Sequence, residues 1–305
     1  MFLKNIIKKI LPANVLGWYH FLLAKFGAML YGFPSRKMVI IGITGTKGKT
    51  STANFIWSVL NAAGFKTGII TTANIRVGEQ ECLNKYHMTM PGKFVLQKIM
   101  REMVDAECTF CVVETTSEGI KQWRHIGVDY DIAVFTNLSP EHLASHENDF
   151  EKYKQAKGKM FAMLNVKKRK TIDGRQVEKV IVANFDDENK DFFLNFSADK
   201  KITFGFSNEA APAVGGASIV ARDVVEMPDG VMFKIGNVDY QLNILGKFNV
   251  YNALPAIAIA KFFDISDEVI VRGLAALKMI PGRMEEISHG QNFRVFVDYA
   301  HEAKS

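Results

Sequence analysis

From residue 38 onward the chain alternates short apolar runs with longer stretches of helical period. Val39-Ile40-Ile41-Gly42-Ile43-Thr44 carries no charge and is rich in β-branched residues, as suits a strand buried on both faces. A stretch with the spacing of a helix follows directly, from Thr50 to about Ala63. The same reading places strands at 67–72, 109–115, 131–136 and 179–183, and helices at 91–104 and 149–164. This alternation predicts an α/β fold, a mostly parallel sheet flanked by helices on both faces. Residues 200–245 change character: turn signals at Pro228-Asp229-Gly230 and Gly236-Asn237 separate short alternating runs. They predict a small antiparallel β patch within or beside the main sheet. Helices at 249–263 and 267–277 and a strand at 293–298 complete the pattern, with no internal repeat or low-complexity tract.

The first 37 residues stand apart. Residues 2–16 put Phe2, Leu3, Ile6, Ile7, Ile10 and Leu11 on one side of a helix and Lys4, Lys8 and Lys9 toward the other, with Pro12 closing it. Trp18–Phe33 reads as a second short helix, interrupted by His20 and Lys25. It falls short of the ~20 uninterrupted apolar residues of a membrane span, and no small-residue cleavage site follows. Two readings stand side by side: residues 1–33 lie on a membrane surface, or they pack on the body. Pro34-Ser35 marks the boundary.

Charge sharpens that division. The net +6 arises from Lys4, Lys8, Lys9, Lys25, Arg36 and Lys37, with no acid before residue 38; the remainder balances at 32 basic against 32 acidic. The high pI therefore gives no reason to expect a nucleic-acid partner. With 305 residues, 48% of them hydrophobic, the chain can bury a large core. Three cysteines make no disulfide framework and point to a reducing cytoplasm. Cys108-Thr-Phe-Cys111 lacks a second ligand pair at zinc spacing and runs into an apolar strand, so it reads as buried thiols.

The chemistry begins where the first strand ends. Gly45-Thr46-Lys47-Gly48-Lys49-Thr50-Ser51 joins a buried strand to a helix, the context of a phosphate loop. Gly45 and Gly48 let amide N–H groups approach phosphate oxygens above a positive helix end; Lys49 would reach the outer phosphates and the Thr50 hydroxyl would hold Mg²⁺. One departure stands out, since Gly-x4-Gly-Lys-[Ser/Thr] asks for glycine at position 43, where this chain has Ile43. Glu114 closes another apolar strand and suits a Mg²⁺ ligand, although a strand-end glutamate taken alone reads as exposed. His142 and His146, four apart after the strand 131–136, read as ligands or as surface histidines, and spacing alone favours the surface.

These pieces together resemble the Mur ligase family, in particular its UDP-N-acetylmuramoyl-peptide synthetases of the MurE type, from about residue 38 to 301. Six motifs occur in the family's order: Thr44–Thr50, Glu114–Ile120, Val134–His142, Gly246–Ala253, Pro281–Glu285 and Val297–His301. Ile43 fits this family's Thr-Gly-Thr-x-Gly-Lys-Thr version of the loop. The resemblance implies ATP and Mg²⁺, with Gly45, Thr46, Lys47, Gly48, Lys49, Thr50 and Ser51 on the phosphates and Glu114 and His142 as further metal ligands. It implies that Lys157, fifteen residues after His142, is the lysine this family carbamylates, although from sequence alone Lys157 is one of several lysines on a solvated helix. Lys49, Lys157 and His142 become the catalytic set. Asn249 matches the adenine contact, Arg283 a nucleotide-contacting arginine and Asp298 the ribose contact, while Ser117, Gln122 and Arg124 match positions holding the UDP-muramoyl acceptor. Thr89-Met90-Pro91 stands where the MurE type often has paired threonines.

The implied reaction joins an amino acid to a UDP-muramoyl peptide through an acyl phosphate, in peptidoglycan precursor synthesis. The expected architecture is a helical segment at 1–37, the ATP-binding domain at 38–288, and at 289–305 a linker and the start of a C-terminal domain. The chain is expected to be a fragment of a longer protein, a cytoplasmic monomer acting on small molecules. The alternatives are another ligase of the superfamily, of the folylpolyglutamate or cyanophycin synthetase kind, and a phosphate-loop nucleotide-binding module that makes no amide. The Ser-x-Gly-Ile-x-x-x-Arg run at 117–124 and Asp298-Tyr299-Ala300-His301 favour the muramoyl branch.

Overall fold

The computed structural model describes residues 13–86, 88–141, 143–166, 169–206 and 218–299. The expected first helix at 2–16 lies almost wholly outside them. Within them a single helix, α1 (Ala13–Leu30), runs straight through the break expected near Trp18.

The body is a nine-stranded sheet. β1 (Val39–Thr44) lies at its centre between β5 (Phe110–Glu114) and β6 (Ile132–Phe135), in the order β11-β10-β9-β6-β1-β5-β2-β3-β4. The outer members on one side are β9 (Val180–Asn184), β10 (Lys200–Gly205) and β11 (Ser218–Val220). On the other are β2 (Thr67–Ile70), β3 (Asn74–Val77) and β4 (Gln80–Leu83). All neighbours run parallel except β2-β3 and β3-β4, which pair antiparallel. Every residue of β1, β5, β6 and β9 is buried, which is why these runs avoid charge until Glu114.

One face is covered by α2 (Lys49–Ala62), α7 (Phe248–Phe262) and α8 (Asp267–Ala276), the other by α3 (Lys93–Asp105), α5 (Phe150–Ala162) and the short α6 (Lys190–Leu194). α2 has no charge after Lys49 because it is enclosed between sheet and helices, with Ser58 Oγ donating to Gly273 O of α8 at 2.6 Å.

Part of the 200–245 expectation needs correction. β10 and β11 extend the main sheet in parallel, and only β12 (Arg222–Met227), β13 (Gly230–Ile235) and β14 (Val238–Leu242) form the antiparallel patch, turning at the two predicted places. The strand expected at 293–298 is β16 (Val295–Val297), which pairs with β15 (Glu285–Ile287) in a separate hairpin.

At the sheet edge opposite the phosphate loop, Asp131 is fully buried. It accepts from Lys170 Nζ, from Lys179 Nζ at 2.7 Å and from the Ile40 amide at 2.8 Å. Burial holds Lys170 down to about 8, with Asp131 opposing. Asp131→Asn keeps the shape but leaves two buried ammonium groups without their carboxylate. It is expected to cost about 3–5 kcal/mol in chemical denaturation, while the nucleotide affinity of the folded fraction stays unchanged.

Candidate functional site

From β1 the chain crosses to β2 on one side of the sheet and later to β6 on the other, so a crevice opens beyond the carboxyl ends of β1, β5 and β6. Ligands of open α/β sheets bind at such a reversal. The loop 45–48 follows β1, Glu114 ends β5, and Thr136-Asn137 follow β6. Ile43 sits inside β1, fully buried and opposite Glu114, so the turn begins only at Gly45.

Both loop glycines are required by close approach. A Cβ on residue 45 would stand 2.0 Å from Thr136 Oγ1, and one on residue 48, at φ 79°, would stand 2.1 Å from Asn252 Oδ1. The loop is braced from β6: Thr46 N donates to Asn137 O at 2.8 Å, Lys47 N to Asn137 Oδ1 at 2.9 Å, and Thr136 Oγ1 to Lys47 O at 2.8 Å. Ser139 N donates to Thr46 Oγ1 at 2.9 Å. The bracing segment is itself held by Asp187, which accepts from Leu138 N at 2.8 Å, and by Asn184, whose Nδ2 donates to Thr136 O at 2.8 Å. Lys47 Nζ pairs with Glu141 at 3.1 Å, and Ser51 is buried in the first turn of α2.

Lys49 folds over this loop, its Nζ donating to Gly45 O at 3.1 Å and Thr46 O at 2.8 Å, 4.0 Å from Glu114 Oε1. Burial lowers its pKa, Glu114 opposes the shift and Arg283 adds to it. Glu114 is 3% exposed, not the exposed residue its strand-end position suggests. Its Oε2 accepts from Thr50 Oγ1 at 2.8 Å, Thr72 N at 2.9 Å and Thr72 Oγ1 at 3.1 Å. Thr89 joins through a 2.8 Å hydroxyl contact with Thr72.

Lys157 corrects a second expectation: it is 2% exposed, on the inner face of α5 and not in solvent. Its Nζ donates to Gly45 O at 2.7 Å and lies 4.5 Å from the centre of the Tyr153 ring. Burial and then the charge of Lys49 push its pKa well below the usual lysine value, with Glu114 pulling the other way. The signal was present in the spacing, since Tyr153, Lys157 and Phe161 recur every four residues and all are buried. His146 is likewise buried, against the surface reading, with its ring 5.3 Å from that of Tyr153; His142 lies outside the described residues.

Around this centre the remaining positions fall into two groups. Asn249 starts α7, donating to Leu245 O at 2.7 Å and accepting from Asn252 Nδ2 at 2.9 Å, which places it behind Gly48. Arg283 lies 5.7 Å from the Tyr299 ring, and Asp298 Oδ2 accepts from Met284 N at 2.7 Å. On the other side Ser117 is buried in the first turn of α4 (Ser117–Lys121), capped by Thr116. Arg124 donates to Met90 O and Gln122 Oε1 just beyond it, bringing the 88–90 segment against the end of α4. Thr72, Tyr153 and Asp187 were not singled out beforehand, while Thr136 and Asn137 stand within the Val134–His142 motif.

The chemistry of the centre fits a nucleotide phosphate with Mg²⁺. Thr50 and Glu114 offer hard oxygen atoms side by side, 2.8 Å apart, next to the loop. Among the described residues no three His, Cys, Asp or Glu side chains gather as a metal cage.

Comparison with known proteins gives the same direction. The family profile described as Mur ligase middle domain matches residues 43–260, more than two thirds of the chain. A UDP-N-acetylmuramoyl-L-alanyl-D-glutamate--2,6-diaminopimelate ligase of Geobacillus kaustophilus is 35% identical over 279 residues, covering 90% of this chain and 54% of that protein. The chain thus spans about half the length of the curated relatives it matches. A solved structure of a ligase of the same name aligns with TM-score 0.68 and 26% identity over 83% of this chain and 49% of its own. A folylpolyglutamate synthase of Mycobacterium tuberculosis shares the fold at TM-score 0.68, with 20% identity over 92% of this chain and 67% of its own. On the family profile, which spans more than half of its length, the chain belongs to the Mur ligase family.

Proposed function

We propose that this chain carries the ATP site of an ATP-dependent amide ligase that adds an amino acid to a UDP-N-acetylmuramoyl peptide. The observation that carries the reading is the convergence of two lysines from different helices, Lys49 and Lys157, on Gly45 O, beside the buried Glu114–Thr50 pair. A nucleotide switch needs the first lysine; a second one, buried, serves chemistry on the transferred phosphoryl group. On this reading residues 38–288 form the ATP-binding body, 289–305 lead out of it, and 1–37 are a separate helical segment.

A carboxylate is a poor electrophile. One of its oxygens therefore attacks the γ-phosphorus of ATP and releases ADP; the amino group of the incoming amino acid then attacks the acyl carbon, loses a proton and expels phosphate. The work of the protein is positioning and charge compensation. Lys49 leaves the loop carbonyls for the phosphate oxygens, the loop amides at the N-terminus of α2 add partial positive charge, and Arg124 with Ser117 and Gln122 orients the acceptor. Thr50, Glu114 and His142 would hold a Mg²⁺ ion, which would supply positive charge against the phosphates. Asn249, Arg283 and Asp298 take the nucleoside end.

The neutral Lys157 amine attacks CO₂ to form an N–C bond and sheds a proton, which turns a neutral group beside Lys49 into an anion suited to the metal side of the site. Its lowered pKa supports this step, because only the unprotonated amine reacts. ATP and a nucleotide-linked acceptor place the enzyme in the cytoplasm. Among the described residues no helix is long and apolar enough to cross a membrane.

The test is the product. The protein as its cell makes it, given ATP, UDP-muramoyl dipeptide and a mixture of diamino acids, is expected to yield acceptor heavier by one amino-acid residue, with one ADP per product. ATP hydrolysis without a mass change, or extension of a folate in place of the muramoyl peptide, would favour the alternatives.

A further inference from the structure

Helix α1 is built inside out for a soluble protein. Its small residues Ala24, Gly27 and Ala28 are buried against the body, while Trp18 (67% exposed), Leu22 (59%), Phe26 (50%) and Met29 (56%) face outward at spacings of four, four and three. These spacings keep them in one continuous stripe, with Tyr19 and Leu30 exposed at its edge. A helix apolar on all sides is normally covered on all sides.

Charge selects the cover. No aspartate or glutamate occurs in this chain before Glu79, whereas Lys4, Lys8, Lys9, Lys25 and Lys37 precede or flank the stripe; Arg36 is already paired with Asp129 at 3.2 Å. A second copy of the same segment would bring like charges together. An anionic lipid surface attracts them, and tryptophan, tyrosine and phenylalanine are the side chains that settle at a headgroup boundary. α1 is also fixed to the acceptor side of the site: Phe21 packs edge-on against Trp123 with ring centres 6.1 Å apart, Phe26 against Phe94 at 6.2 Å, and His20 contacts Lys93 at 3.4 Å.

We infer that α1 lies in the surface of an anionic membrane with the Trp18–Met29 stripe immersed. Its other face then holds the segment carrying Arg124 about one helix diameter, ~10 Å, from the lipid. The lipid contact stands without the functional reading; only the role of Arg124 as an acceptor contact rests on it.

The experiment is sedimentation of the full chain with vesicles of equal parts phosphatidylglycerol and phosphatidylcholine, alongside phosphatidylcholine alone. The expected result is pelleting with the anionic vesicles that falls as salt rises, and a partition weakened roughly tenfold or more by Leu22→Glu with Met29→Glu. ATP affinity of that variant in solution should equal the wild type's, which separates loss of lipid binding from loss of fold or of nucleotide binding. Absence of pelleting by the wild type, or equal pelleting by the variant, overturns the inference. So does concentration-dependent self-association in ultracentrifugation that the variant abolishes while vesicles capture neither form, since that assigns the stripe to a second copy.

Discussion

Lys49→Ala is expected to lower ATP turnover by roughly 10²- to 10³-fold or more while leaving the protein folded, because it removes a charge aimed at the transferred phosphoryl group. The fold survives because Lys49 bonds to the loop carbonyls of Gly45 and Thr46 beside Glu114 and is not part of the hydrophobic core. A second consequence follows from its neighbour. Lys49 is the charge that, after burial, most depresses the Lys157 pKa. Removing it returns Lys157 toward its protonated form, so the variant should also carry less carbamate. The two effects share one cause, and Lys49→Ala combined with Lys157→Ala is expected to cost less than the sum of the single changes. Steady-state kinetics and denaturation of both singles and the double check this; turnover like the wild type's in Lys49→Ala would remove the phosphate-loop assignment.

For Lys157→Ala the expected loss is roughly 100-fold or more in turnover, with partial recovery in millimolar formate or acetate, which restore a carboxylate in the space the side chain vacated. Lys157→Met fills that space and should lose activity without recovery, which distinguishes a missing anion from a disturbed helix. In the wild type, isotope-labelled bicarbonate should give a carbamate carbon signal that Lys157→Met lacks. The signal should grow as pH rises through the folded-state pKa of Lys157 and fade below it, where the amine is protonated. Since burial and Lys49 lower that pKa, the rise comes at lower pH than for an exposed lysine. Full activity in Lys157→Ala, or loss that neither anion repairs, would count against carbamylation.

The local signals were strong where a residue's neighbours in sequence are also its neighbours in space. The uncharged β-branched runs of β1, β5, β6 and β9 had to be buried strands, and a glycine turn between β1 and α2 had to present backbone amides. Ile43 illustrates how far this went: its burial within β1 explains why the first consensus glycine is missing and the turn begins two residues later. The hairpin turns at 228–230 and 236–237 were legible for the same reason.

What the sequence determined by itself was the central alternation of strands and helices, without β3, β4, α4 and α6, together with the phosphate loop and the motifs that mark the family, because these depend on short-range periodicity and on residues adjacent along the chain. Tertiary structure alone decided that Lys157 and Glu114 leave solvent, that β10 and β11 join the main sheet, and that the large residues of α1 face outward. Each of these depends on which segment, tens of residues away, covers or pairs with the other. Lys157 meets Gly45 across 112 positions of chain, and only folding brings an ammonium so far removed onto that carbonyl.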